Sequence, residues 1–406
     1  EIVDICQTTP ASLKILPGIY ELINGRVSVS QVREVRVEDI LGREPVEVDL
    51  DSIAGYLAGK AVLVTGAGGS IGSELCRQAA RFKPRELILL GHGENSIYEA
   101  YQELSLEFRG LEIIPLICDV KDRAAMNAVF QKYRPEVVFH AAAHKHVPLM
   151  EHCPAEAVKN NVLGTFNAAR AAHDFSAESF ILISTDKAVH PAGIMGATKR
   201  IAEMVVQQMA RTSKTCFASV RFGNVLDSRG SVVPLFKKQI ASGGPVTVTH
   251  PEMVRYFMTI PEAVQLVIQA GALARGGEIF ILDMGEPVKI ISLARRMIRL
   301  AGYRPGKDIP IVFTGIRPGE KLYEELLTSA EETEATLHQS IFMARPDNNF
   351  SELKLKRFLN SITDAGWNPT REEVIALIRS VLPDFKNDSA GESRAIPSPS
   401  PGIGEL

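Results

Sequence analysis

The chain has 406 residues, 45% hydrophobic and 23% charged, with a formal net charge of -3. That length suits two domains, or one large domain with a lobe and tails, in an ordinary globular protein. The small net charge excludes a general attraction to nucleic acid or to an anionic membrane, so any anion site has to be built locally.

Five cysteines, Cys6, Cys76, Cys118, Cys153 and Cys216, are scattered with no CxxC pair, a usage that reads as reduced and cytoplasmic. No apolar run is long enough to predict a membrane span and no signal peptide is visible, so no membrane contact is expected in this fragment. The start at Glu1 rather than Met leads us to expect a native segment ahead of it.

Residues 1–58 read as a leader segment that packs on the main domain. From Lys60 the pattern becomes regular. Apolar, β-rich runs at 61–64, 87–90, 112–117, 137–141, 180–183, 216–220 and 278–282 predict strands. Helical periodicity fills the gaps at 70–83, 97–107, 123–132, 154–173 and 196–211. Near-continuous apolar strands alternating with helices predict an α/β fold with a doubly wound parallel sheet covered on both faces. After Val225 longer Gly- and Pro-rich loops take over. The expected division is a nucleotide-binding domain over 59–225, with a strand near 278–283 returning to its sheet. A smaller C-terminal substrate lobe over 226–345 and a helical extension over 346–386 follow. The Ser-, Pro- and Gly-rich stretch 387–406 is expected to be a disordered tail.

The strongest local signal is Val64-Thr65-Gly66-Ala67-Gly68-Gly69-Ser70-Ile71-Gly72, between a predicted strand and an amphipathic helix. Glycine permits the positive φ of the turn and lets backbone amides approach a pyrophosphate, which the helix N-terminus favours electrostatically. This is the context a dinucleotide fingerprint requires, so Thr65, Gly66, Gly69, Ser70, Ile71 and Gly72 are cofactor candidates in a Rossmann-like fold. Glu94 is the carboxylate near the end of the second strand that could bind the adenosine ribose, and no arginine close by suits a 2′-phosphate, so NAD is expected over NADP. Asp119 and Val120 are placed either to meet the adenine edge or simply to start a turn. Ala141, Ala142 and Ala143 are small enough for a cofactor to lie on the backbone, or for tight packing.

After the fifth strand come Ser184-Thr185-Asp186-Lys187 and then Met195-Gly196-Ala197-Thr198-Lys199. The glycine triplet, the hydroxyl after strand five and Lys199 resemble the extended short-chain dehydrogenases/reductases. That superfamily places a Tyr four residues before the Lys, where this chain has Met195. Methionine cannot exchange a proton with a substrate hydroxyl. Met195 beside Thr185-Asp186-Lys187 resembles one subgroup, the long, normally membrane-anchored UDP-N-acetylglucosamine 4,6-dehydratases of polysaccharide and glycan synthesis. The segments AAAHKHVPLME (141–151), STDKAVHPAGIMGATK (184–199), RFGNVLDSRGSVVP (221–234) and RPGEKLYEEL (317–326) resemble it too.

The resemblance, over residues 30–345, implies conversion of UDP-N-acetylglucosamine to a 4-keto-6-deoxy sugar. C4 is oxidised, the C5 proton is removed, the C6 hydroxyl leaves, and hydride returns to C6. It implies Lys187 as the base at C5 and Asp186 as the acid at C6, with Thr185 orienting the O4 hydroxyl and Lys199 holding the nicotinamide ribose. With Met195 unable to act, water or Asp186 takes the O4 proton. The chemistry calls for a lowered lysine pKa and a raised aspartate pKa. Asn224 resembles the family residue that faces the substrate. Arg255 and Arg317 are candidates for the diphosphate, which guanidinium binds bidentately. Glu320 is a candidate for the uridine ribose, and Lys145 one to reach the substrate.

Other readings stay open. His140, His144, His146, His152 and Cys153 are zinc-ligand types but span a strand end and a loop, so no metal is expected. A Tyr303–Lys307 YxxxK pattern contains Pro and Gly, which forbid a helix. A nucleotide-sugar 4-epimerase would need no acid at C6. A dinucleotide sensor would make no product, and a scaffold role for 1–58 is compatible with catalysis. Superfamily members commonly pair through two long helices, here 97–107 and 158–173, so a homo-oligomer, at least a dimer, is expected.

Overall fold

Runs of five or six residues with almost no polar side chain become fully buried strands, because helices cover both faces of the sheet. In the computed structural model β1 (Ala61–Thr65), β2 (Glu86–Gly91), β3 (Glu112–Ile117), β4 (Val137–His140), β5 (Ser179–Ile183), β6 (Cys216–Arg221) and β7 (Ile279–Leu282) are all parallel. Their order, β3-β2-β1-β4-β5-β6-β7, is doubly wound with its switch point between β1 and β4. The structure describes residues 48–326, 333–344, 351–363 and 366–387, plus an antiparallel two-residue pair, Lys14–Ile15 with Arg33–Glu34. The rest of the expected leader, and the expected tail beyond Asn387, lie outside the described residues.

The sheet edges differ. β3 alternates half-buried and exposed positions and carries Pro115, which an edge strand tolerates. At the other edge an antiparallel hairpin, β8 (Thr333–Ala335) and β9 (Ile341–Ala344), joins β7, with Leu282 opposite Ile341. The sequence reading put these residues in the lobe. They sit on the main sheet, where Ile341 and Ala344 are buried.

α1 (Leu50–Leu57) is capped by the Asp49 carboxylate, which accepts from the Ser52 amide. It buries Ile53 and Leu57 in the main core, and the Tyr56 hydroxyl lies 2.9 Å from Ser179 Oγ. α2 (Ser70–Arg81), α3 (Glu94–Glu107) and α4 (Arg123–Tyr133) are the expected crossover helices. The helix expected over 154–173 forms, with one π turn inside it. After α5 (Val147–His152) come α6 (Pro154–Val158), one π turn (Lys159–Leu163) and α7 (Gly164–Asp174). The π turn carries Asn161, whose side chain accepts from the His144 amide at 2.8 Å and donates to the His144 carbonyl at 3.0 Å. Interruptions of this kind concentrate at functional sites. α8 (Ile194–Thr212) follows, buried along most of its length.

The lobe contains α9 (Val232–Ala241), and α10 (Ile260–Leu273) leads the chain back against α2 and the sheet. Tyr303–Lys307 lies in turns. At the C-terminal end α11 (Glu352–Ile362) and α12 (Arg371–Val381) bury Leu355, Phe358, Val374 and Ile378 against Val158, Val162, Ile201 and Val205. The amino-terminal part of the 158–173 stretch expected to pair subunits thus packs against the C-terminal helices, whereas α3 exposes Tyr98 and Leu106. Among the described residues no helix is long and apolar enough to cross a membrane.

Candidate active site

Rossmann-type sheets bind ligands at the carboxyl ends of their strands, beside the switch point. β1 ends there in the glycine turn. Gly66 has φ +68°, and a Cβ on it would stand 2.8 Å from the backbone of Ala141 and Ala142 at the end of β4. A Cβ on Gly72 would collide with the Gly66 carbonyl oxygen. The turn therefore closes only with glycine at both positions. α2 begins after Gly69 with no side-chain cap, so its first amides keep their donors for a ligand. This cradle fits a dinucleotide pyrophosphate.

Thr65, expected as a cofactor contact, is fully buried and has another task. Thr165 donates to the Asn161 carbonyl at 2.7 Å, so its oxygen is left to accept from His140 Nε2 at 3.0 Å. His140 Nδ1 then accepts from the Thr65 hydroxyl at 2.8 Å, and that hydroxyl accepts from the Ala142 amide at 3.3 Å. One directed chain thus ties the ends of β1 and β4 to α7. Burial, reinforced by Lys199, holds the imidazole neutral, with its pKa down at about 3. The histidine-rich run does not converge on a metal, and among the described residues no group of three or more His, Cys, Asp or Glu is arranged to hold one.

A cavity of about 450 Å³ opens beside the turn. Of the expected residues, Ile71, Ala141, Ala143, Lys145, Thr185, Lys187, Met195, Lys199, Asn224, Arg255, Arg317 and Glu320 line it. Glu94 is exposed at the start of α3. Asp119 accepts from the Lys121 amide at 2.9 Å, the turn-starting role left open by the sequence, while Val120 is buried. Arg229 crosses the glycine turn, donating to the Gly68 carbonyl at 3.0 Å and, through its amide, to Ser70 Oγ at 3.1 Å.

Lys187 lies at the cavity wall. Its ammonium is 3.0 Å from Asp186 Oδ1, 3.3 Å from Asn224 Oδ1 and 3.5 Å from Glu324 Oε1. Burial acts to lower its pKa, but Asp186 and Glu324 outweigh burial and raise it. The sequence analysis called for a lowered pKa, and the two carboxylates are the reason for the difference. Asp186 is fully buried and is not among the lining residues. Its Oδ1 also accepts from the Thr185 hydroxyl at 2.8 Å, and its Oδ2 has no hydrogen-bond partner.

Lys199, on α8, donates to the Ile183 carbonyl at 2.6 Å, and burial lowers its pKa to about 8 against the opposing pull of Glu203. Met195, one turn earlier, is buried at the cavity wall. Behind them Glu203 accepts from Ser184 Oγ at 2.6 Å and from Arg221 Nε and Nη2 at 2.8 Å each. Burial opposes ionisation of Glu203, but Arg221, with Arg200 and Ser184, holds its pKa at about 2. The sequence reading missed this pair and Asn161. The available signals were an arginine closing the apolar run 216–221 and a glutamate one helical turn after Lys199.

The substrate-side arginines differ. Arg255 commits its donors to the carbonyls of Val254, Leu322 and Lys321 at 2.7, 3.2 and 2.8 Å, so it braces the 321–322 loop. Arg317 is exposed and pairs with Glu320 at 2.6 Å. Lys145 donates to Ser228 Oγ at 3.3 Å, and burial lowers its pKa.

The family described as polysaccharide biosynthesis protein matches residues 62–346, which contain both the glycine turn and the whole cavity. The chain belongs to this polysaccharide biosynthesis family. Its sequence is 54% identical over 377 residues to the capsular polysaccharide biosynthesis protein CapD of Staphylococcus aureus, covering 89% of this chain and 63% of that protein. The chain thus spans less than two thirds of that relative's length. A UDP-N-acetylglucosamine 4,6-dehydratase (inverting) of Campylobacter jejuni is 34% identical over 276 residues, 67% of this chain and 78% of that protein. A UDP-glucose 4-epimerase of Rickettsia bellii is also 34% identical, over 286 residues, 68% of this chain and 80% of that protein. The crystal structure of Pen from Bacillus thuringiensis, 34% identical, superposes with a TM-score of 0.65 over 71% of this chain and 87% of that one. One of these relatives is thus named as a dehydratase and another as an epimerase, and this chain has the extended short-chain dehydrogenase/reductase fold.

Proposed function

We propose that the chain is an NAD-dependent 4,6-dehydratase acting on a UDP-N-acetylhexosamine, with UDP-N-acetylglucosamine as the expected substrate. The observation that carries this reading is the Asp186–Lys187 pair, 3.0 Å between Oδ1 and Nζ at the cavity wall, one strand end from a helix with methionine at position 195.

NAD, when bound in the glycine cradle, supplies the hydride acceptor for C4 and the hydride donor for C6. The chain's own residues supply the rest. Movement of one proton from Lys187 Nζ to Asp186 Oδ1 converts the ion pair into a neutral amine beside a carboxylic acid. Burial favours that uncharged form, but Asp186 and Glu324 hold the Lys187 pKa up, so the further loss of water when substrate fills the cavity has to drive the transfer. The amine is the base for the C5 proton; Asp186 lies behind the cavity lining, so it becomes the donor for the departing C6 oxygen only when substrate binding turns it to the cavity. The partnerless Asp186 Oδ2 supports this role, because a protonated acid needs no second ionic partner there. Thr185 orients the O4 hydroxyl, whose proton passes to water and returns to the Asp186–Lys187 pair at the end of the cycle, and Lys199 holds the nicotinamide ribose. Asn224, beside Lys187, and Arg317, Glu320 and Lys145 elsewhere in the lining contact the nucleotide sugar.

The test is mass spectrometry of UDP-N-acetylglucosamine after incubation with the protein and NAD in heavy water. The expected product has lost one water and gained deuterium at C5, and Lys187→Ala removes that product while NAD stays bound. An isomer of unchanged mass would establish instead the 4-epimerase reading, which the equally similar epimerase relatives favour. Recovery of unaltered substrate would leave a dinucleotide-binding sensor.

A further inference from the structure

Glu151, on α5, lies outside the residues assigned to the reaction, yet three elements meet on its buried carboxylate. Its Oε1 accepts from the Ile194 amide at 2.7 Å, the first amide of α8, whose own N-cap Gly193 provides no side-chain cap. Its Oε2 accepts from Arg371 Nη2 at 2.7 Å and from Asn387 Nδ2 at 3.3 Å. Arg371 also donates to the Glu151 carbonyl oxygen and opens α12. The third element is the loop carrying Arg317 and Glu320. A Cβ on Gly193 would stand 2.7 Å from Glu151 Oε1 and 2.8 Å from Gly319 Cα, and a Cβ on Gly319 would stand 2.8 Å from the same oxygen. Two glycines from distant parts of the chain therefore make room for one carboxylate.

We propose that Glu151 is a positioning residue, clamped by Arg371, through which the C-terminal helix pair sets the start of α8 and the Arg317–Glu320 loop for the nucleotide diphosphate of the substrate. A carboxylate at an uncapped helix start is favourable, because it meets free amides and the positive end of the helix dipole. Arg371 keeps that buried charge paired from the far side. Without the arginine, Glu151 has to draw solvent or another donor into its site, and the Gly193–Gly319 contact loosens. Met195 lies two residues after Gly193, so the same displacement reaches the sugar side of the cavity. The glycine turn is built on β1 and β4 and meets α8 at Thr198, through a 3.1 Å hydrogen bond from Asn161, a turn beyond the start that the clamp sets. The inference rests on the proposed reading of the cavity as a UDP-sugar site.

The test uses the whole chain with Arg371→Met and Arg371→Lys, titrated with two probes by calorimetry: UDP for the 317–320 side, and ADP-ribose for the glycine turn. Thermal unfolding establishes that each variant is folded at the titration temperature. Arg371→Met is expected to weaken UDP about tenfold or more and to leave ADP-ribose within about twofold, with Arg371→Lys recovering most of the loss because it restores the charge. Unchanged UDP binding in a folded Arg371→Met protein would overturn the clamp. So would equal weakening of both probes, which signals general destabilisation. If Arg371→Met does not fold, Arg371→Gln, which keeps a donor but removes the charge, decides against wild type by the same ratio, a shift confined to UDP supporting the clamp and its absence overturning it. Failure of the wild type to bind UDP at all would instead remove the UDP-sugar reading.

Discussion

Replacing Arg221 by methionine tests how the reaction helix is anchored. Arg221 and Glu203 are fully buried and joined by two hydrogen bonds of 2.8 Å, and Glu203 sits one turn from Lys199. Breaking a buried pair by removing one partner costs about 3–5 kcal/mol, because the remaining charge is stranded. An independent route gives a similar size. A carboxyl held at about 2 instead of its ordinary 4.5 corresponds to roughly 3 kcal/mol of stabilisation at neutral pH. Since the folded pKa is the depressed one, that stability is complete above about pH 4.5 and is lost as pH falls from there towards 2. Urea unfolding followed by circular dichroism at pH 7 is expected to show Arg221→Met less stable by about 3 kcal/mol, with a shallower acid dependence. The double variant Arg221→Met/Glu203→Leu is expected to recover at least half of the loss, since an apolar pair strands no charge. A loss below about 1 kcal/mol, or a double variant no better than the single one, would refute the reasoning.

Lys199 gives the same sign of slope in an alkaline window. Its folded pKa is about 8 against an ordinary 10.5, so between those values the unfolded chain binds more protons and stability rises with pH. Wild type is expected to gain roughly 3 kcal/mol over Lys199→Met across that window, and parallel pH profiles would contradict it. Gly72→Ala places a methyl against the Gly66 carbonyl. It is expected to cost about 1–3 kcal/mol in denaturant unfolding and to abolish ADP-ribose binding; retained affinity would show that the turn has slack. His140, held neutral between two threonines, is expected to show no NMR titration between about pH 5 and 9. A titration midpoint within that range would refute the directed chain from Ala142 to Asn161.

The sequence made the fold readable where burial is uniform. The strands of the parallel sheet form within one or two residues of their expected limits, because an apolar run between turn residues has few alternatives once both faces are covered. Periodicity failed at Lys159–Leu163, since one extra residue in a turn leaves the apolar pattern almost unchanged while redirecting Asn161. It also failed for the hairpin at 333–344, whose short strands take their register from β7 rather than from their own pattern. Within the site, the glycine spacing and the Thr185-Asp186-Lys187 run were legible as local text. The Glu203–Arg221 pair, the clamp on Glu151 and the neutrality of His140 arise between segments 18 to 220 residues apart, where no local pattern records them.

The way α1 attaches has a consequence for access. Tyr56 reaches Ser179, the first residue of β5, and the Asp49 amide donates to Gln269 in the descending half of α10. Both anchors lie towards the amino-terminal rim of the sheet, whereas the cavity opens at its carboxyl rim. Residues 48 and 49 are therefore held at the floor of the molecule, on the rim opposite the cavity mouth.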